Sequence, residues 1–147
     1  METATIVHSF DVQTRWDHET GSGMARSGHR APLVFGPPPE FGGTEEVWSP
    51  EHLLAASLAS CYTTTFLHFA RLLKQTVTRF NISARLELEK GKAGFEATHC
   101  VLRPVVEFRH TPSQAVLEDL FAKAKKYCCI SNSVKATISV EPSVVQG

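Results

Sequence analysis

The sequence predicts an α+β fold in a single domain spanning residues 1–147, with sheet wrapped on helices. Three observations predict it. A run from His52 through Ala70 carries no formal charge and opens with a helix-start signature, "SPEHLL". Two long alternating segments joined by "GKAG" have the pattern of an antiparallel hairpin. An amphipathic segment from Thr111 to Cys128 then supplies a second helix before a closing strand.

In chain order, "ATIVHSFDVQT" alternates well enough for a strand, and "APLVF" near Leu33 is a second one after the Gly-rich "GSGMARSGHR". The prolines and glycines of "GPPPEFGG", from Gly36 to Gly43, predict an irregular loop. For the long helix, Ser49 is the expected cap, Pro50 takes the first helical position and Glu51 complements the dipole. It is expected to run to about Lys74. Leu53, Leu54, Leu58, Phe66, Leu67, Phe69 and Leu72 cover so much of its circumference that burial on nearly all sides follows, and a chain this small would achieve that by dimerising.

The hairpin is expected from "VTRFNISARLELEK" and "FEATHCVLRPVVEFRH", with Pro104 forcing an edge or a bulge in the second strand. Thr111 as cap, Pro112 at the first position and Gln114 form the expected start of the second helix. Its apolar stripe runs through Val116, Leu117, Leu120, Phe121, Ala124, Tyr127 and Cys128. "VKATISVE" returns as a strand.

With 42% apolar and 9% aromatic residues the chain can fill a core, which excludes disordered and fibrous classes. Fifteen basic residues balance fifteen acidic ones, so no overall field draws nucleic acid or an anionic membrane. "METATIVHSF" lacks the pattern of a signal peptide, and the hydroxyls and histidines of the uncharged run argue against a lipid-facing span. A cytoplasmic protein acting on small molecules or proteins is the expectation, with its thiols kept reduced.

Chemistry is expected at the cysteines: Cys61, Cys100, Cys128 and Cys129. They lack the paired spacing of a structural zinc site, and His99 and Cys100 point to opposite faces of a strand, so no metal is expected. Cys100 reads as packing. Cys61 and Cys128 sit on apolar faces of different helices, where a thiolate needs a cation or helix N-terminus beside it. The nearest basic residue along the helix, Arg71, is about 15 Å from Cys61, and Glu51 is equally far on the other side. An activating arginine must therefore come from elsewhere in the fold.

"SPEHLLAASLASCYTTTF" resembles the OsmC/Ohr family of thiol-dependent organic hydroperoxide reductases, in which Pro-Glu precedes a reactive cysteine by ten residues. "YCCISNS" resembles that family's Cys-Pro-Ile-Ser-Asn motif. The resemblance implies curved antiparallel sheets around a long central helix in an intertwined homodimer. It also implies Cys61 as peroxidatic cysteine, Cys128 as resolving cysteine and Glu51 as the carboxylate that orients an activating arginine, with Arg26 and Arg30 of "TGSGMARSGHR" as candidates. Cys129 stands where the family has proline and is a second candidate resolver. No cofactor is implied; the partners are an organic hydroperoxide and a thiol or dithiol reductant. Leu58, Phe66 and Phe69 are expected to line an apolar pocket for the substrate. The other readings are a non-catalytic dimeric protein that binds an apolar ligand, and a redox sensor that uses the same disulfide.

Overall fold

The computed structural model describes residues 4–146, so the first three residues of "METATIVHSF" lie outside it. The chain forms two compact units, Met1–Pro50 and Glu51–Gly147.

The first unit holds an antiparallel sheet in the order β1-β2-β3, with β1 at Gln13–Asp17, β2 at Ser22–Arg26 and β3 at Leu33–Phe35. The turn between β1 and β2 closes with Gly21 at φ +65°, a conformation open to glycine at little cost, and its N–H bonds to Asp17 O at 3.0 Å. Residues 4–12, expected to begin the first strand, have no regular structure. Alternation is not sufficient without a ladder partner, and pairing begins only at Gln13, opposite Arg26. The Gly-rich stretch instead supplies a strand that propensity disfavours. Gly23 pairs with Phe35, and a Cβ at Gly23 would overlap the Phe35 ring, so packing requires glycine there. The expected loop contains one 3-10 turn, Pro39–Phe41, ended by Gly42 at φ +86°.

In the second unit the long helix α1 spans Pro50–Leu72. Lys74, at φ +56°, ends it, with Gln75 N–H bonded to Ala70 O at 2.8 Å, a left-handed cap made without glycine. By length and composition α1 could cross a membrane. It is not buried all round within the chain. Leu58, Tyr62, Phe66 and Ala70 form one buried stripe at i, i+4 spacing, while Leu67 and Leu72 are 38% and 61% exposed. Within a single chain, one sheet and one further helix cover only one side of α1.

β4 (Val77–Gly91) and β5 (Gly94–Phe108) form the predicted hairpin. β6 (Thr137–Val140) and β7 (Ser143–Val144) both pair with β5 in parallel, which makes β5 a central strand. Pro104 is therefore neither at an edge nor at a bulge. Leu102 O and Val106 O accept from Glu141 and Val145 on the β6/β7 side, so the missing N–H of Pro104 faces the break between those short strands. Helix α2 spans Gln114–Tyr127 and its cap is Ser113, not Thr111: the Ser113 hydroxyl accepts from Val116 N at 3.3 Å. Leu117, Leu120 and Ala124 face the core as predicted, while Tyr127 is exposed. Phe66 joins the layers, its ring 5.1 Å from both Phe80 of β4 and Phe121 of α2.

Candidate active site

Cys61 lies midway along α1, on the flank of the buried stripe, and is half-buried. Cys128 and Cys129 follow α2, where the backbone leaves the helix at Cys128 with ψ 105°. That turn is held locally. Asn132 Nδ2 donates to Lys126 O at 3.0 Å, which satisfies a carbonyl freed at the helix end, and Ser133 Oγ donates to Cys129 O at 2.7 Å. Asn132 N–H also bonds to Cys128 O at 3.0 Å.

The turn brings sulfur to sulfur. Cys61 Sγ and Cys129 Sγ are 3.7 Å apart, and the Cys128 thiol also acts on Cys61 as a hydrogen-bond donor. Cys128 itself is fully buried and receives the Ser131 hydroxyl at 3.1 Å. Cys129 is exposed. Burial raises the Cys61 pKa, but the Ile130 N–H, the Cys128 and Cys129 thiols and the Thr65 hydroxyl outweigh it and hold the thiol below its ordinary range. The Thr65 hydroxyl also donates to Cys61 O at 2.7 Å. Cys128 is pushed up, first by burial, and Cys129 is pushed up, first by its hydrogen bond to Cys61. The sulfurs thus share negative charge as a set that favours Cys61 as the thiolate. Backbone and thiol donors achieve this with no cation among the causes.

Glu51 stands in the first turn of α1, and its Oε2 is buried with no hydrogen-bond partner among the described residues. Such an oxygen has capacity for a donor that its own surroundings do not supply. Arg26 and Arg30 belong to the first unit and are exposed; Arg26 Nη2 lies 3.0 Å from Met24 Sδ. Leu58 and Phe66, expected to line the substrate pocket, have no exposure and belong to the core; Phe69 is partly buried and stacks on Tyr127 at 5.3 Å. Cys100 is buried in β5, opposite Leu86 and Ile138. Among the described residues, no group of His, Cys, Asp and Glu could hold a metal ion.

Sequence reasoning missed the Ile130 N–H, the Ser131 hydroxyl and the Asn132 clamp. The signal for them was the Ser-Asn-Ser run directly after a helix end, which calls for a side-chain-capped turn.

The family model described as "OsmC-like protein" matches residues 43–143. No curated protein matches the chain. Among solved structures, an OsmC-like protein of unknown function from Vibrio cholerae is 24% identical with a TM-score of 0.85, over 92% of this chain and 99% of its own. An organic hydroperoxide resistance protein from Elizabethkingia anophelis is 17% identical with a TM-score of 0.75, over 98% and 100%. The organic hydroperoxide resistance protein OhrB of Bacillus subtilis is 20% identical with a TM-score of 0.63, over 94% and 98%.

Proposed function

The chain belongs to the OsmC-like protein family, and from that premise we propose that it is a thiol-dependent peroxidase that reduces organic hydroperoxides. The observation that carries the reading is the meeting of a low-pKa thiol on α1 with further thiols from the turn after α2. A reactive thiolate with a second thiol in reach is what two-step peroxide reduction requires. Organic hydroperoxides are the chosen substrate class because two of the similar structures are named as resistance proteins against them.

In this mechanism the Cys61 thiolate attacks the distal oxygen of R-OOH, the O–O bond breaks, and the alkoxide leaves and is protonated to R-OH. Cys61 becomes a sulfenic acid. The Cys128 thiol displaces its hydroxyl as water to give a Cys61–Cys128 disulfide, and an external thiol or dithiol reduces that bond by exchange. Arg26 or Arg30, oriented by Glu51, is the cation assigned to steady the leaving alkoxide. The unpartnered Glu51 oxygen supports giving that residue a guanidinium. A homodimer completes the reading, supported by the exposed Leu67 and Leu72 of α1 and Leu73 just after it, and the cytoplasm is the compartment assigned because it keeps thiols reduced.

Steady-state consumption of an organic hydroperoxide with dithiothreitol tests it. Cys61→Ser abolishes turnover, and retained turnover in that variant would overturn the role of Cys61. Replacing each arginine singly by alanine identifies the cation by its loss of rate.

A further inference from the structure

We propose that Cys129 is the sulfur through which the external reductant enters, so that turnover runs on a relay of three thiols. This rests on the peroxidase reading. What carries it is the contrast between the two adjacent cysteines. Cys128 is fully buried and its sulfur is already engaged by Ser131 Oγ at 3.1 Å, so an incoming thiolate has no line of approach to it. Cys129 is exposed, yet its Sγ lies 3.7 Å from Cys61 Sγ. One sulfur therefore suits closing a bond inside the protein, and its neighbour suits handing that bond to solvent.

The exchange balances at each step. The Cys129 thiolate attacks Cys61 Sγ in the Cys61–Cys128 disulfide, the Cys61–Cys129 bond forms, and Cys128 departs and takes up the proton that Cys129 gave up. A small-molecule thiolate then attacks Cys129 Sγ, and Cys61 leaves. Cys61 is the favoured leaving group because the Ile130 N–H stabilises it as the thiolate. A second reductant thiol releases Cys129 as the free thiol and departs in a disulfide with the first. Two reductant thiols are oxidised for each hydroperoxide reduced.

The experiment oxidises wild-type protein, Cys129→Ser and Cys128→Ala with diamide, which closes disulfides without any peroxide step. The bridges are mapped after acid quenching, and their reduction by glutathione is timed. Cys128→Ala is expected to give a Cys61–Cys129 bridge. Cys129→Ser is expected to close Cys61–Cys128 normally and to reopen it at least tenfold more slowly than wild type, a loss larger than any fall in its reduced Cys61 alkylation rate, which is timed on the same sample because the Cys129 thiol is one of the donors to Cys61. Reopening at the wild-type rate in Cys129→Ser would overturn the proposal, as would the absence of a Cys61–Cys129 bridge in Cys128→Ala. Cys129 is exposed, so its substitution by serine disturbs no core packing. Hydroperoxide consumption by the same wild-type sample is read separately: its absence sinks the peroxidase reading, while the reopening rates alone decide the role of Cys129.

Discussion

Cys61 and Cys100 carry the same functional group in two settings within one unit of the molecule. Cys100 is held in β5 between Leu86 and Ile138, and burial alone pushes its thiol up. Cys61 is also pushed up by burial, yet ends below the ordinary range because hydrogen-bond donors from the turn after α2 surround it. Partial removal from water therefore does not decide reactivity. What decides it is whether the surrounding backbone can solvate a thiolate in place of water.

The largest test of this contrast is labelling. With iodoacetamide at neutral pH, followed by mass spectrometry of the peptides, Cys61 should react on the order of a thousand times faster than Cys100, which must wait for the strand to open. Similar rates at the two positions would erase the distinction. A smaller effect comes from Ile130→Pro, which removes the donor N–H at a residue whose φ of −71° already suits proline. The pH profile for Cys61 labelling should move upward and the rate at neutral pH should fall roughly three- to tenfold. An unmoved profile would show that the neighbouring thiols alone set the charge.

The smallest effect is on stability. The folded chain keeps Cys100 protonated at pH values where the unfolded chain ionises, near 8.5, so the unfolded state binds fewer protons there. The stabilising effect is whole below that pH and declines as pH rises toward the raised folded value. Cys100→Ala should flatten this decline by up to about 1.4 kcal/mol per pH unit, measured by urea unfolding between about pH 8 and 10. An unchanged slope would place the alkaline loss elsewhere.

The parts legible in the sequence are those whose signals are local. Pro50 and Glu51 open α1, the alternation around "GKAG" gives the hairpin, and both agree with the structure. The α+β class follows from their order. β2 was not legible because Gly23 is selected by the Phe35 ring across the sheet, a contact ten or more residues away in sequence. The parallel pairing of β6 and β7 with β5 escaped for the same reason, and with it the setting of Pro104. At the site, the cysteine positions were readable and their mutual geometry was not. A helix stripe extended through Cys128 gives its burial, but the chain leaves the helix there, which swings Cys129 to Cys61. Leu58 and Phe66 were misplaced as pocket lining because periodicity shows that a face is apolar without showing what covers it.

The hydroxyl groups along α1 do more than interrupt an apolar run. Ser60 donates to Ser57 O at 3.2 Å, Thr63 to Ala59 O at 2.9 Å, and Thr64 and Thr65 both to Cys61 O at 3.1 and 2.7 Å. Their protons are spent inside the helix, so a neighbour laid against this surface meets oxygens that can only accept, beside their methyl and methylene groups. A segment rich in hydroxyls therefore offers a neighbour beside the reactive sulfur no free donor from these four side chains.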